Sequence, residues 1–457
     1  MKSSVSSAFC STFVCLLMLA SRSFPAHGAW DSQIILDSGL SVRHPSVLND
    51  ADGRLHVVYF NETSNTLEYA CQSDGSWQYS TIVRFTGSLT SLDMALDGAG
   101  VCHLIFVEDG SYPQPDFVKY ACQSNNSWSV RVVESASYNY HYANIEVDKA
   151  NRPHVVYTRR PYSFSQLPPY DLRFACLAEE PLLIKTLHTT RDWAGITCAV
   201  LKLQATGDPF ISFADTPESG SGRALKILRR ENDLWTTEEI KSTSSSWAFT
   251  YVAMALDSSD VPHFIYDLGN LFHTRREGSL WQTSLICSQL VEYAHVDMAV
   301  DSRDHCHVTF SSGAGVSPVY YSTWNGTNWA VHVASSSNGS EGSITLNPVD
   351  QPVLVFRSSR GYLAQAFQDS LEGLGSLLLS SIALSNGFIV MRWQAESNGI
   401  YRLQCSPDLL NWSSVGRSMS DQAAGFLYAG EGVSECATTS SINRMFLRVF
   451  QSPILAP

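Results

Sequence analysis

Three carboxylates, Asp93, Asp297 and Glu341, stand where an otherwise regular sequence pattern is broken, each near the head of a strand-like run. Two carboxyl groups facing one another across a pocket can act as acid and base, or as acid and nucleophile, on a glycosidic bond; a separation of about 5 to 10 Å suits that chemistry. At related places stand His44, Tyr142, Asn144, Trp193, Trp247, Tyr251 and His295. Flat aromatic faces suit the C–H side of a sugar, and amide, imidazole and carboxylate groups suit its hydroxyls, so this set reads as a ligand-binding surface. Binding and hydrolysis are both open to it. Carboxylates tied to neighbouring backbone would favour binding or structure, and paired ones across an open pocket would favour a glycoside hydrolase. No G-x-S-x-G, H-E-x-x-H or P-loop motif occurs, which favours a non-catalytic module over an enzyme. No CxxC or Cys/His metal spacing is present, so neither metal nor cofactor is expected.

What must position these residues is a unit that recurs seven times, as in "HPSVLNDADGRLHVVYF…LEYACQSDGSWQYSTIV" and "SLDMALDGAGVCHLIFV…VKYACQSNNSWSVRVV". The units align on His56, His103, His154, Phe210, His263, His307 and Val353; six residues earlier stand Asp50, Asp97, Asp148, Gln204, Asp257, Asp301 and Asn347. Between the two positions lie turn-formers such as "DADGR" and "DSSDV", a hairpin by composition. A third run follows, and a fourth opens with Trp77, Trp128, Trp235, Trp281 or Trp329. Four short strands repeated at a period of about 50 residues predict an all-β, seven-bladed β-propeller over residues 29–369. The seventh unit lacks its Trp-led strand, and "AWDSQIIL" near the start of the chain supplies one. Residues 30–36 are therefore expected to complete the last blade and close the ring, leaving no exposed sheet edge.

The repeated His, Trp and Asp residues take structural readings. Symmetry spreads one repeat position around a ring, so the imidazoles cannot converge; the Asp side chains cap the turns. Residues that vary are the informative ones. Twelve positions before the anchor stand His44, Ser91, Tyr142, Cys198, Tyr251, His295 and Glu341, and ten before stand Ser46, Asp93, Asn144, Val200, Ala253, Asp297 and Ser343. Both sets fall at the mouth of the central channel, where loops carrying Tyr138, Tyr140, Trp193, Trp247 and Phe249 also arrive.

The net charge of −13, with no basic run, argues against a nucleic-acid partner. Residues 1–28 read as a secretory signal: Lys2, an apolar stretch, then Ala26 and Gly28 before the cut. No later stretch approaches the roughly 18 apolar residues of a membrane span. The expected product is a monomer, secreted, periplasmic or at the cell surface, whose partner is a glycan or an extracellular protein. In such a compartment Cys102 with Cys122, and Cys405 with Cys436, are candidate disulfides, while Cys71, Cys122 and Cys176 share one repeat position and read equally as small core residues.

Past residue 370 the repeat is lost, and runs such as "FIVMRWQA", "IYRLQCS" and "RMFLRVF" predict a small β-sandwich over 376–453. "YRLQCSPDLLNWSSVG" followed by "RMFLRVF" resembles the C-terminal β-module of secreted proteins of the Verrucomicrobia and Planctomycetes type. "SPDLLNW" echoes the sialidase Asp-box, but Leu410 takes its glycine position. Across residues 30–367 the pattern in "DKANRPHVVYT" and "VYYSTWNGTNWAVHV" resembles secreted bacterial propellers distantly akin to sialidase-like and lectin-like ones. That resemblance implies the fold; binding proteins and enzymes alike use it.

Overall fold

The computed structural model describes residues 30–36, 41–73, 76–110, 114–124, 127–136, 138–161, 169–191, 195–216, 222–232, 234–245, 248–249, 251–288, 295–311, 317–324 and 328–368, and six later strands between residues 379 and 452. The signal segment 1–28, Trp193, Trp247 and Cys436 lie outside the described residues. Among the described residues every regular element is a β-strand and no helix is long and apolar enough to cross a membrane. The chain divides into two compact units, one of them Trp30–Gln368.

In that unit, β1 (Trp30–Leu36) is followed by five four-stranded antiparallel sheets. The first holds β2 (Val42–Asn49), β3 (Leu55–Asn61), β4 (Thr66–Ser73) and β5 (Ser76–Arg84); the second β6 (Ser88–Leu96), β7 (Cys102–Asp109), β8 (Asp116–Ser124) and β9 (Ser127–Ala136). The third holds β10 (Tyr138–Val147), β11 (Pro153–Pro161), β12 (Tyr170–Cys176) and β13 (Lys185–Thr190); the fourth β14 (Thr197–Leu203), β15 (Pro209–Asp215), β16 (Arg223–Glu231) and β17 (Leu234–Thr243). The fifth is β18 (Val252–Leu256), β19 (Pro262–Asp267), β20 (Leu271–Glu277) and β21 (Leu280–Cys287). The last sheet has seven strands: β22 (His295–Val300), β23 (Cys306–Ser311), β24 (Ser317–Trp324), β25 (Trp329–Leu346), β26 (Pro352–Ser358) and β27 (Leu363–Gln368), with β1 added to β27 at its far edge.

Its size comes from the 18-residue β25, which pairs with β24 through Trp329–Ser335 and with β26 through Ser340–Leu346. Gly339 sits between the two halves, where a Cβ would lie 2.7 Å from the Phe356 ring and 2.8 Å from Val319, so a side chain has no room. β1 runs antiparallel to β27, Trp30 opposite Gln368, and the Trp30 ring lies 4.8 Å from that of Tyr321. First strands of successive sheets touch in order, β2 to β6, β10, β14, β18 and β22; β22 then touches β25 of its own sheet, and β25 returns to β2. The arrangement is propeller-like.

Sandwiching each sheet between two others explains the sequence of its second strand. β3, "LHVVYFN", and β15, "PFISFAD", are buried along their whole length, where a sheet with one wet face would alternate. Outer strands such as β5 are exposed or half-buried along most of their length. Between sheets the core is local: Val58, Phe60 and Tyr69 pack on Leu104 and Phe106 of the next sheet.

Each repeated Asp closes its hairpin. Oδ1 of Asp148 accepts the N–H of Ala150 and of Arg152, both at 2.9 Å, and Asp50, Asp97, Asp257 and Asp301 do the same to residues two and four ahead. Oδ2 of each lies 3.1 to 3.5 Å from Nε2 of the anchor imidazole. On the far side of the ring, Nδ1 of His56, His103 and His307 meets a tyrosine hydroxyl, of Tyr69, Tyr120 and Tyr321, at 2.6 to 2.7 Å. The imidazole joins turn to third strand. The second unit holds two three-stranded sheets, β28 (Leu379–Ser385), β29 (Phe388–Gln394) and β32 (Ala424–Ala429), and β30 (Ile400–Ser406), β31 (Ser413–Met419) and β33 (Phe446–Ser452).

The expected Cys102–Cys122 disulfide is absent: both cysteines are free. Cys122 lies opposite His103, not Cys102, and adjacent strand residues point to opposite faces.

Two outcomes follow from this frame. Deleting residues 30–36 exposes β27 as an edge and strips Trp30 from Tyr321, so the melting temperature should drop sharply; an unchanged melt would show that the ring does not need this strand. Acid should also weaken the fold in a defined window. Burial holds the anchor imidazoles below their ordinary value of 6.5, the Asp partners pulling back only in part. For Asp148 burial pushes upward, but the Arg152 and Ala150 N–H groups and the His154 and Arg152 side chains together bring it from 3.8 to about 2. In both cases the unfolded chain binds protons first, so stability is full above the unfolded value and falls with pH, beginning near 6.5 for the imidazoles and near 3.8 for Asp148. Urea midpoints measured from neutral pH downward should fall, and His154→Gln should reduce the slope.

Candidate functional site

The innermost strands begin irregularly. In β2, β10, β14 and β25 two residues stand opposite one of the neighbouring strand, and the first of each pair is left-handed: His44 (φ 50°), Tyr142 (φ 50°), Cys198 (φ 52°) and Glu341 (φ 54°). Such bulges re-aim side chains at sheet ends, and a non-glycine residue there costs about 1 to 2 kcal/mol. All four occupy the position twelve before the repeat anchor.

On one arc of this rim the side chains converge. Glu341 Oε2 accepts the backbone N–H of His44 at 2.6 Å, and Arg43 Nε lies 3.5 Å from Oε1. The ring of His295 sits 4.4 Å from that of Tyr251, tilted by 47°. Burial lowers His295, with the Glu341 charge opposing and that of His44 adding to it; burial likewise lowers His44, again opposed by Glu341. For Glu341 burial acts upward, and the charges of His44, Arg43 and His295 with the His44 N–H outweigh it and hold it low. Tyr251 is raised by burial and by Glu341. Tyr142 adjoins the group: burial first, then Cys198 and Tyr251, push it up to about 12. His44, Tyr251, His295 and Glu341 thus form one half-buried cluster from several sheets, a carboxylate among imidazoles, a phenol and a guanidinium, while Tyr142, at the same rim position of the third sheet, packs on the core between the third and fourth sheets. Arg43 is exposed at the edge of the cluster.

One layer deeper the polar groups are engaged by backbone. Asp93 Oδ2 accepts the Ile145 N–H at 2.8 Å and the Asn144 amide at 2.5 Å; Asn144 Oδ1 in turn accepts the Leu201 N–H at 2.7 Å. Asp297 Oδ2 accepts the Ile344 N–H and the Ser343 hydroxyl, both at 2.9 Å, and Ser343 Oγ accepts the Val47 N–H at 3.3 Å. In all four cases a side chain of one innermost strand satisfies a backbone N–H of the next. Burial raises Asp93 to about 7 against the pull of the Ile145 N–H and Lys202, and raises Asp297 as well. Below them Lys202 pairs with Glu146 and feels Asp93 and Asp297.

Of the residues singled out from sequence, the rim therefore unites four, while Asn144, Asp93 and Asp297 stand a layer below as links between strands. Tyr140 and Phe249, expected at the mouth, are instead fully buried, packed edge-on to Tyr157 and Tyr266. Sequence reasoning missed Arg43 and the Lys202–Glu146 pair. Glu146 and Lys202 stand eight before the anchor, where Ala95, Ala255 and Ala299 occur in other units, and charge at so small a position was the available signal. Among the described residues a separate cleft, lined by Phe210, Arg229, Arg276 and Trp281, opens between the fourth and fifth sheets. The carboxylate in its lining, Asp260, already accepts the Ala205 N–H at 3.0 Å, and the lining residues Arg276 and Trp281 are engaged by Glu238 at 2.7 and 2.9 Å.

No protein-family model matches the chain, and no curated protein matches it in sequence. Solved structures similar to it include a protein of unknown function from Dyadobacter fermentans DSM 18053, 10% identical, covering 74% of this chain and 97% of that one at a TM-score of 0.46. The SapL1 lectin in complex with alpha methyl fucoside is 13% identical, covering 65% and 98% at a TM-score of 0.47. The intramolecular trans-sialidase from Ruminococcus gnavus is 10% identical, covering 74% and 96% at a TM-score of 0.40.

Proposed function

We propose that the chain is a secreted seven-bladed β-propeller, residues 29–369, that binds carbohydrate without cleaving it at the rim formed by His44, Tyr142, Tyr251, His295 and Glu341, with a β-sandwich module at 376–453. Seven blades follow if β25 serves twice, as the outer strand of the sixth blade and the inner strand of the seventh, with β1 as the outer strand of the seventh. The observation that carries the binding reading is the Glu341 cluster. The Tyr251–His295 pair offers a face to sugar C–H groups, and beside it stand a carboxylate, the His44 imidazole and a guanidinium to meet hydroxyls.

The glycoside hydrolase alternative draws on Asp93, whose raised value of about 7 would suit an acid. Against it stand the partners of the carboxylates: Asp93 and Asp297 each hold a backbone N–H of the next strand, and Glu341 holds that of His44. A group so tied has a structural duty in every state of the protein.

Two measurements separate these readings. On a glycan array the chain without residues 1–28 should retain specific ligands, and Tyr251→Ala should weaken retention by about 1 kcal/mol or more, the cost of an aromatic anchor, with the melting temperature held within a few degrees. An array without signal, or equal retention by the variant, rejects the rim. Asp297→Ala should leave the Ile344 N–H unpaired and cost about 1 to 3 kcal/mol in urea unfolding without changing glycan retention. Glycan turnover by the parent chain that Asp297→Ala abolishes at unchanged stability would establish the hydrolase instead.

A further inference from the structure

The anchor imidazole meets a tyrosine in three sheets, stacks on Phe174 in the third sheet, and meets a second histidine in the fifth. Where β4, β8 and β24 place Tyr69, Tyr120 and Tyr321 against the anchor, β20 places His273. The next sheet adds Cys306, which immediately precedes its own anchor, His307. His263, His273 and Cys306 are all buried, at 1%, 2% and 0% exposure. His263 Nδ1 lies 3.0 Å from His273 Nε2 and 3.0 Å from Cys306 Sγ, and the remaining side, Cys306 Sγ to His273 Nε2, is 3.9 Å. A triangle with those sides has its circumcentre about 2.0 Å from each corner, close to zinc–nitrogen and zinc–sulfur distances of about 2.0 to 2.3 Å.

We propose that His263, His273 and Cys306 form a buried site for one thiophilic metal ion, Zn2+ or Cu+. The outer nitrogens of both rings support it. His263 Nε2 faces Asp257 Oδ2 at 3.4 Å, and His273 Nδ1 faces Ser284 Oγ at 3.5 Å, the carboxylate and hydroxyl partners that orient metal-bound imidazoles. With those protons outward, both inner nitrogens present lone pairs 3.0 Å apart, an arrangement that a cation between them stabilises. Moving one proton inward joins the two rings but occupies the single lone pair of His263 Nδ1, the same atom that lies 3.0 Å from the Cys306 thiol. Metal binding resolves the competition: the thiol proton leaves to solvent, and the thiolate and two neutral imidazoles share one ion. Two nitrogens and one sulfur suit a soft or borderline ion, not Ca2+ or Mg2+. Trp329 and Trp324, with rings 5.1 and 6.2 Å from that of His273, make the surroundings apolar. The same thiol position recurs as Cys102, in one core cluster with Tyr69, where the phenol bonded to His56 stands in place of the second nitrogen. The donors come from three strands of two sheets, so no local Cys/His spacing announces them.

The test uses the full chain without residues 1–28, stripped with chelator under denaturant and refolded with Zn2+ in one arm and with Cu+ under reductant in the other. One ion per chain by elemental analysis, with a raised melting temperature, is expected in at least one arm, and the arm that loads identifies the ion. Cobalt in place of zinc should give a thiolate-to-metal charge-transfer band. His273→Tyr rebuilds the His–Tyr pair of the other sheets and should fold, melt near the metal-free parent and bind no ion. Asp257→Asn should weaken binding by about 10- to 100-fold. No stoichiometric ion in either arm, or equal binding by His273→Tyr, overturns the proposal; should that variant not fold, equal binding by Cys306→Ala overturns it.

Discussion

Each innermost strand of the larger unit pairs on one side only, and the N–H groups of its other edge face the axis, where they still require partners. The unit meets this constraint with side chains passed from strand to strand: Asp93 to Ile145, Asn144 to Leu201, Asp297 to Ile344 and Ser343 to Val47. A short acceptor ten positions before the repeat anchor reaches the next strand, and that is why carboxylates line the channel. Where Val200 and Ala253 hold the same position no such side-chain acceptor exists, and charge nearby falls to the Lys202–Glu146 pair. The axis is consequently polar on one arc and apolar on another, and the rim cluster around Glu341 stands above the polar one.

The outer frame rests on the Asp–His–Tyr connection. A turn carboxylate fixes one nitrogen of the imidazole and a phenol on the third strand fixes the other, so hairpin, second strand and third strand are held by one planar side chain. Burial keeps that ring neutral, as an acceptor on one side and a donor on the other. The fifth sheet keeps the turn half of this connection and alters the other half, which is how one substitution within a repeat can change the chemistry of a site without changing the backbone.

Much of the fold was legible because it is periodic. The Asp turns, the anchors and the Trp-led outer strands recur at fixed spacing, and the shortfall of the seventh unit matched the surplus strand at Trp30. The rim was legible only by subtraction, as positions where His44, Tyr142, Tyr251, His295 and Glu341 break the pattern. What resisted reading was tertiary. Whether Asp93 faces a pocket or a neighbouring N–H depends on the tilt between sheets, and Tyr140 and Phe249 are loop-adjacent in sequence yet sealed in the core. The cysteine pairing failed for a related reason, since a one-residue offset places Cys102 on the other face of its strand from the residue opposite Cys122.

The pairing of β1 with β27 joins Trp30 to Gln368, nearly the whole length of the unit. During synthesis β1 leaves the ribosome first and its partner last. Through that interval the first sheet has formed beside a gap, and the first and last sheets both present open edges to any strand that arrives. Loop closure over so long a chain is slow, so it is kinetics, more than thermodynamics, that this connection puts at risk. A ring sealed by its two ends is stable once shut, and until then it is a strand acceptor for its own copies.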